Sequence, residues 1–353
     1  MKLPFDFGVK LIFRLVLPGF LLSLGLLPLL RLVLQMQGWA DKWEYAFVVM
    51  IILLGWGVVI ADMPIYMLME GRRWPKSIKK FFIARLEKEL KELQADTKSA
   101  DANTKTEAWF SLRGGFDMTN EGDYRVVYPT RLGNVIHAYE RYSRVRYGLD
   151  SIFYWPRVWL KLDKDTREDL DNTQALVDST VYAAFVLYTC AVIWLLYALT
   201  KFVVVLVKSW FVLTERIQYD LTLIDQRLPK KGVALLAAAV FMTAGYVVYR
   251  VSTFLCAQYG ENFKSVFDVH ISTINIEPVM KTLVALTAGT PCELDLSRMR
   301  KKQQFPIAAR YLQYYRYKCP KCEELLKPDE IKSHLAAVCL QKRKAKAAGG
   351  SNT

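Results

Sequence analysis

The chain has 353 residues, a formal net charge of +14 and 53% hydrophobic residues. Length alone allows two soluble domains, but the apolar residues fall in long blocks instead of at a period of 2 or 3.6, which argues against a soluble fold. Three histidines in all, with no Gly-rich phosphate loop, nucleophile elbow or HExxH pattern, argue against an enzyme.

The first block, LIFRLVLPGFLLSLGLLPLLRLVL, runs from Leu11 to Leu34. A membrane-crossing helix needs about 20 apolar residues, and this block supplies them. Arg14 and Arg31 stand about 25 Å apart on such a helix, so each can snorkel to an opposite interface. Pro18 and Pro28 are tolerated in membrane helices. The run is too long for a cleavable signal peptide and lacks a small-residue cleavage site, so a retained anchor is expected. The second block, Tyr45 to Met69, carries Asp62 and then Pro64, where a kink is expected. An intramembrane carboxylate needs a partner, and Arg14 is the candidate; the plainer reading is an interface-level acid paired for assembly.

Positions 35–44 are nearly neutral, whereas Arg72, Arg73, Lys76, Lys79 and Lys80 crowd the end of the second block. That asymmetry places the following segment in the cytoplasm, and an even helix count then puts both termini there. Arg216, Arg227, Lys230 and Lys231, between the third and fourth blocks, run against this scheme.

In SIKKFFIARLEKELKEL, the residues Ile78, Phe82, Leu86, Leu90 and Leu93 share one helical face opposite a charged one. Such a helix packs on a neighbour or lies on headgroups. QADTKSADANTKTEA reads as a polar linker. Gly114-Gly115 and Gly122-Asp123 signal turns around a β-like run from Tyr124 to Tyr128. RLGNVIHAYERYSRVRYGLDS reads as a helix ending near Gly148, with His137 as a helix-surface or packing residue rather than a catalyst.

RYGLDSIFYWPRVWLKLDKDTREDLDNTQALVDS, Arg146 to Ser179, combines a Tyr-Gly-x-Asp turn with a Trp-Pro-Arg segment. It resembles an element of uncharacterised bacterial multi-pass membrane proteins. The resemblance continues in YGENFKSVFDVHISTINIEPVMKTL, Tyr259 to Leu283. It implies paired intracellular elements in a bacterial inner-membrane protein and brings no assigned activity. Tyr154, Trp155 and Trp159 suit a membrane interface or a domain contact, and Gly148 suits a turn of positive φ. The third and fourth apolar blocks are Ser179 to Thr200 and Gly232 to Cys256.

The tail carries the clearest chemistry. Cys319 and Cys322 form a Cys-x2-Cys pair, and His334 and Cys339 follow at His-x4-Cys spacing. A two-residue gap lets both sulfurs of the pair reach one ion, and tetrahedral zinc accepts three thiolates and one imidazole. A reducing cytoplasm favours metal over disulfide. KPDEIKSHLAAVC can start a helix at Pro328 that carries His334 inward. The motif resembles C2HC zinc fingers of a ββα kind, with a spacer shorter than usual. A closed four-ligand shell makes the zinc structural rather than catalytic. Lys318 and Lys321 can offset the net negative charge of the site.

From Arg298 onward there are 14 basic residues and 4 acidic ones, so the tail meets an acidic partner first. Tyr311, Tyr314, Tyr315 and Tyr317, interleaved with these cations, can stack bases. The same cations can dock on anionic lipid or a protein.

The expected fold is mainly α: a four-helix transmembrane protein with a helical cytoplasmic region and a small C-terminal zinc finger. Its parts are transmembrane helices 1 and 2 (1–70), a cytoplasmic region (71–178), transmembrane helices 3 and 4 (179–257), a connecting segment (258–317) and the finger with its basic tail (318–346). The expected function is a non-enzymatic membrane adaptor or sensor whose finger binds nucleic acid or a protein partner. The alternative is an oligomeric channel or membrane-perturbing effector. No small-molecule substrate is indicated, and a homo-oligomer is compatible with both.

Overall fold

The computed structural model of the chain describes residues 12–37, 42–98, 101–118, 124–210, 229–289, 294–314, 316–319 and 324–335. It is mainly helical. A π-helical turn, Ile12–Val16, leads into α1 (Leu17–Met36), followed by α2 (Trp43–Ile60), α3 (Asp62–Met69), α4 (Lys76–Asp96) and α5 (Ala102–Gly115). The short strands β1 (Asp117–Met118) and β2 (Tyr124–Arg125) precede α6 (Arg131–Tyr147) and α7 (Ser151–Trp159). The long helices α8 (Lys164–Trp210) and α9 (Lys231–His270) have 47 and 40 residues. Then come α10 (Glu277–Thr287), α11 (Lys301–Tyr314), the strands β3 (Tyr317–Lys318) and β4 (Leu325–Leu326), and the one-turn α12 (Ile331–Ser333).

Four helical segments are long and apolar enough to cross a membrane: Ile12–Leu34, Trp43–Ile60, Lys164–Val204 and Lys231–Thr273. They contain or overlap the four apolar blocks of the sequence. Leu53, Ile60, Leu236, Val240 and Phe254 on these segments are all more than half exposed. In water such a surface would drive aggregation, whereas in hydrocarbon it needs no cover. At about 1.5 Å per residue, α8 and α9 reach about 70 and 60 Å, well beyond the ~30 Å hydrocarbon layer. The second block was expected to continue to Met69 through a kink, but the helix stops at Ile60 and restarts at Asp62. Pro64 explains the break: it offers no N–H to the Ile60 carbonyl, and its ring crowds that oxygen.

The chain forms two compact units: the first takes Met1–Phe116, Arg125–Ile136 and Glu168–Tyr259, and the second takes Asp117–Tyr124, His137–Arg167 and Gly260–Thr353. In the first unit, α1 and α2 approach through glycines. A Cβ on Gly19 would stand 2.1 Å from the Ile51 carbonyl oxygen, and one on Gly55 2.3 Å from that of Leu15. Without a hydrophobic drive between helices in lipid, close backbone approach of this kind supplies the packing attraction. The Tyr197 hydroxyl donates to the Gly25 carbonyl at 3.3 Å and ties α8 to α1.

The face expected on α4 is only partly used. Leu86 and Leu90 are buried and Phe82 and Leu93 half-buried, but Ile78 is exposed. The polar linker expected after it becomes α5, because Asp101 caps the helix by accepting the Thr104 N–H at 2.9 Å. Ala108 and Leu112 on α5 are buried, and α5 packs against α4. The β-like run ends early, since the Val127 and Tyr128 N–H groups both donate to Asn134 Oδ1, at 2.8 and 3.0 Å. Asn134 is fully buried and its amide returns bonds to the carbonyls of Tyr128 and Thr130, so all its polar capacity is satisfied.

In the second unit, Tyr-Gly-x-Asp stops one helix and starts the next. Gly148, at φ +73°, donates its N–H to the Arg144 carbonyl at 3.0 Å as a left-handed cap on α6. Two residues on, Asp150 accepts the Phe153 N–H at 3.1 Å and caps α7. Leu149 between them is fully buried. A Cβ on Gly148 would stand 2.0 Å from the Lys302 carbonyl oxygen. Gly148→Ala should therefore cost about 3 kcal/mol, from positive-φ strain plus overpacking. Gly57→Ala, whose Cβ would meet nothing within 4 Å, should leave thermal unfolding in detergent unchanged or slightly improved.

Candidate metal centre and a polar clasp

Of the four residues expected to hold zinc, the structure places Cys319 and His334; Cys322 and Cys339 lie outside the described residues. Among the described residues no group of three or more His, Cys, Asp and Glu could hold a metal ion. Cys319 directly follows β3, which pairs antiparallel with β4 in the register Tyr317 to Leu326 and Lys318 to Leu325. The Cys319 N–H donates to the Glu324 carbonyl at 2.9 Å, closing the chain across the Cys-x2-Cys positions. The expected helix start at Pro328 is a turn instead, and α12 begins at Ile331. Glu330 organises that turn: its carboxylate accepts the Lys327 N–H at 3.0 Å, and its carbonyl accepts the His334 N–H at 3.0 Å. His334 follows α12, buried to 7% exposure, with Nδ1 3.8 Å from Glu324 Oε2. Cys319 and His334 thus sit in one hairpin-and-turn module in which Tyr317, Leu326, Ile331 and Leu335 are buried, with α10 packed on α12 and α11 on β3.

The tyrosines expected to stack bases divide. Tyr311 and Tyr317 are buried in the second unit, Tyr314 is 62% exposed, and Tyr315 lies outside the described residues. Helix α11 turns its Phe305–Ala308–Ala309–Tyr311 side inward, which makes Tyr311 a core residue. The cations stay outside: Arg300, Lys301, Arg316, Lys327 and Lys332 are exposed and carry no ion pair among the described residues. Lys302 is engaged, donating to the Val145 carbonyl at 2.5 Å.

Trp155 and Trp159 pack on each other as tilted rings with centroids 5.6 Å apart, and Trp155 also packs on Phe263 at 4.6 Å. The parts of the two resembling stretches that belong to the second unit therefore pack together. Tyr154 is fully buried and donates to the Phe305 carbonyl at 3.1 Å; burial pushes its hydroxyl pKa up to about 12. Tyr142 and Tyr147 both donate to the Asp268 carboxylate, at 2.9 and 2.7 Å. Burial first, and that bond second, push both hydroxyls above the ordinary tyrosine range.

Asp62 has a different partner from the one its position suggested. Arg14 pairs instead with Asp178, at 2.5 Å. Asp62 accepts from the Tyr182 hydroxyl at 2.7 Å, and Tyr66 donates to Asp178 at 2.6 Å. The arrangement is reciprocal. Asp62 and Tyr66 share one face of α3, Asp178 and Tyr182 share one face of α8, and each tyrosine serves the other helix's acid. The tyrosine rings meet edge to face at 6.5 Å. Tyr66, Asp178 and Tyr182 were not singled out in the sequence, although Asp-x3-Tyr recurs and i,i+4 spacing puts both members on one face.

The fold and this clasp define a mainly helical protein with four helices suited to crossing a membrane. Comparison with family models, curated proteins and solved structures finds no match for the chain.

Proposed function

We propose that the protein is a membrane-anchored adaptor, set in a bacterial inner membrane with both termini cytoplasmic, whose C-terminal module is a structural zinc finger that presents a basic surface to nucleic acid. Cys319, Cys322, His334 and Cys339 hold the zinc, and its chemistry is a cross-link in place of a larger core. The described half of the donor set fits this role. Cys319 and His334 are both buried, and the Glu324 carboxylate beside Nδ1 leaves Nε2 as the nitrogen for the metal.

The observation that carries the reading is that Arg300, Lys301, Arg316, Lys327 and Lys332, in the same C-terminal stretch as those two donors, are exposed and carry no ion pair among the described residues. Burial of Tyr311 and Tyr317 removes two stacking platforms, so recognition is mainly of phosphate and carries little sequence preference. The detergent-solubilised full chain should bind duplex DNA or RNA with log K falling against log salt at a slope of about −0.9 per neutralised phosphate. Replacing Lys327 and Lys332 with serine should flatten that slope by about two such steps. No binding even at low salt, together with a protein that co-purifies in stoichiometric amount, would replace nucleic acid by a protein partner.

A further inference from the structure

The first unit holds a cleft of about 990 Å³ whose walls come from α4, the Pro129–Arg131 turn, and the membrane-crossing helices α8 and α9. We propose that it binds one anionic phospholipid drawn from the surrounding bilayer.

One wall is apolar and belongs to helices whose outer faces are themselves apolar. Phe185, Tyr188 and Val192 of α8 and Tyr246 of α9 line it, with Trp74 and Phe82 beside them. The other wall is charged. Lys88 lies 3.9 Å from Glu92, and Arg131 is paired with Glu89. That leaves the exposed guanidinium groups of Arg85 and Arg250 lining the cleft without an ion pair among the described residues. Burial, and then the Arg250 charge, both work against the charge on Arg131. An anion between these guanidinium groups relieves that repulsion, and the planar fork of arginine matches phosphate oxygens in pairs.

Depth decides which anion. Arg250 lies about 27 Å along α9 from Gly232, close to the ~30 Å thickness of the hydrocarbon, which sets it at headgroup level. Tyr246 is one turn deeper on the same side. On α8, Phe185 to Val192 lie about 9 to 20 Å past Ser179, where the apolar block begins. Charge at headgroup level with aromatic and aliphatic lining below it follows the polarity of a phospholipid. A free phosphate would leave the apolar wall unused.

Trp74 gives the test, because it lines the cleft 5.3 Å from Phe82. The full chain and its Trp74→Phe variant are reconstituted in phosphatidylcholine vesicles containing a few mole per cent of brominated phosphatidylglycerol or brominated phosphatidylcholine. The Trp74 fluorescence, taken as the difference between the two proteins, should be quenched several-fold more by the anionic lipid. Arg85→Gln with Arg250→Gln should bring the two lipids to parity, with helical circular dichroism unchanged. Should that pair of changes unfold the protein, Arg250→Lys keeps the charge and should still reduce the preference. Equal quenching by both lipids overturns the proposal, as does a preference that survives loss of both arginines. Reversal of the quenching by added inorganic phosphate overturns it in favour of a soluble anion.

Discussion

Stripping zinc from the full chain with a chelator should expose the C-terminal module to proteolysis while leaving the four long helices intact. Apart from its packing on α10 and α11, little within the module itself holds it. Its strands are two residues each and α12 has three. A two-residue hairpin is marginal in water, and a single helical turn carries the full nucleation cost. The buried side chains of Tyr317, Leu326, Ile331 and Leu335 supply about 6 to 12 kcal/mol together, which the cost of ordering the module, about 1 to 2 kcal/mol per residue, offsets. A structural zinc contributes about 10 kcal/mol or more in a small finger at neutral pH. Cleavage after Lys318 and Lys327 should therefore accelerate by well over tenfold on chelation. Cys319→Ser should reproduce the effect, and Cys292→Ser, outside the proposed donor set, should not. Zinc retention should weaken as pH falls, because protons compete for the three thiolates and the imidazole. Metal analysis finding no zinc in the purified chain, or digestion indifferent to chelator, would sink the finger and leave only a basic tail.

The four helices long and apolar enough to cross a membrane are legible because hydrocarbon imposes a length and a composition that four blocks satisfy without reference to any partner. The Tyr-Gly-x-Asp turn was legible for the same local reason, since Gly148 and Asp150 act on backbone groups within a few residues. Side-chain partners were not. Asp62 and Arg14 fit a pair by depth, yet which acid Arg14 meets depends on how α8 is placed, and that information lies more than a hundred residues away. Tyr311 and Tyr317 could stack bases or fill a core by composition alone. Only the direction in which α11 and β3 face decides between them. The linker expected between α4 and α5 shows the opposite error: a polar composition hid a capped helix, because Asp101 and two buried residues, Ala108 and Leu112, were enough to fix it.

The clasp gives the second large effect. Asp178→Ala deprives the Arg14 guanidinium of the carboxylate it pairs with in a partly buried site, and removes the acceptor for Tyr66. Breaking a buried pair costs about 3 to 5 kcal/mol, and the 31% exposure of the Arg14 side chain puts this case at the lower end. Unfolding in mixed micelles should show a loss of about 3 kcal/mol. The double change Arg14→Met with Asp178→Leu should recover most of it, since an apolar pair needs no solvation in that setting. Asp62→Asn should cost about 1 kcal/mol or less, because the amide oxygen still accepts the Tyr182 hydroxyl. The ordering separates two roles for these acids. As a clasp, Asp178 matters for stability far more than Asp62, and neither changes ion flux through liposomes holding the folded protein. As part of a conducting path, Asp62→Asn would alter flux at unchanged stability, and the channel reading would displace the adaptor.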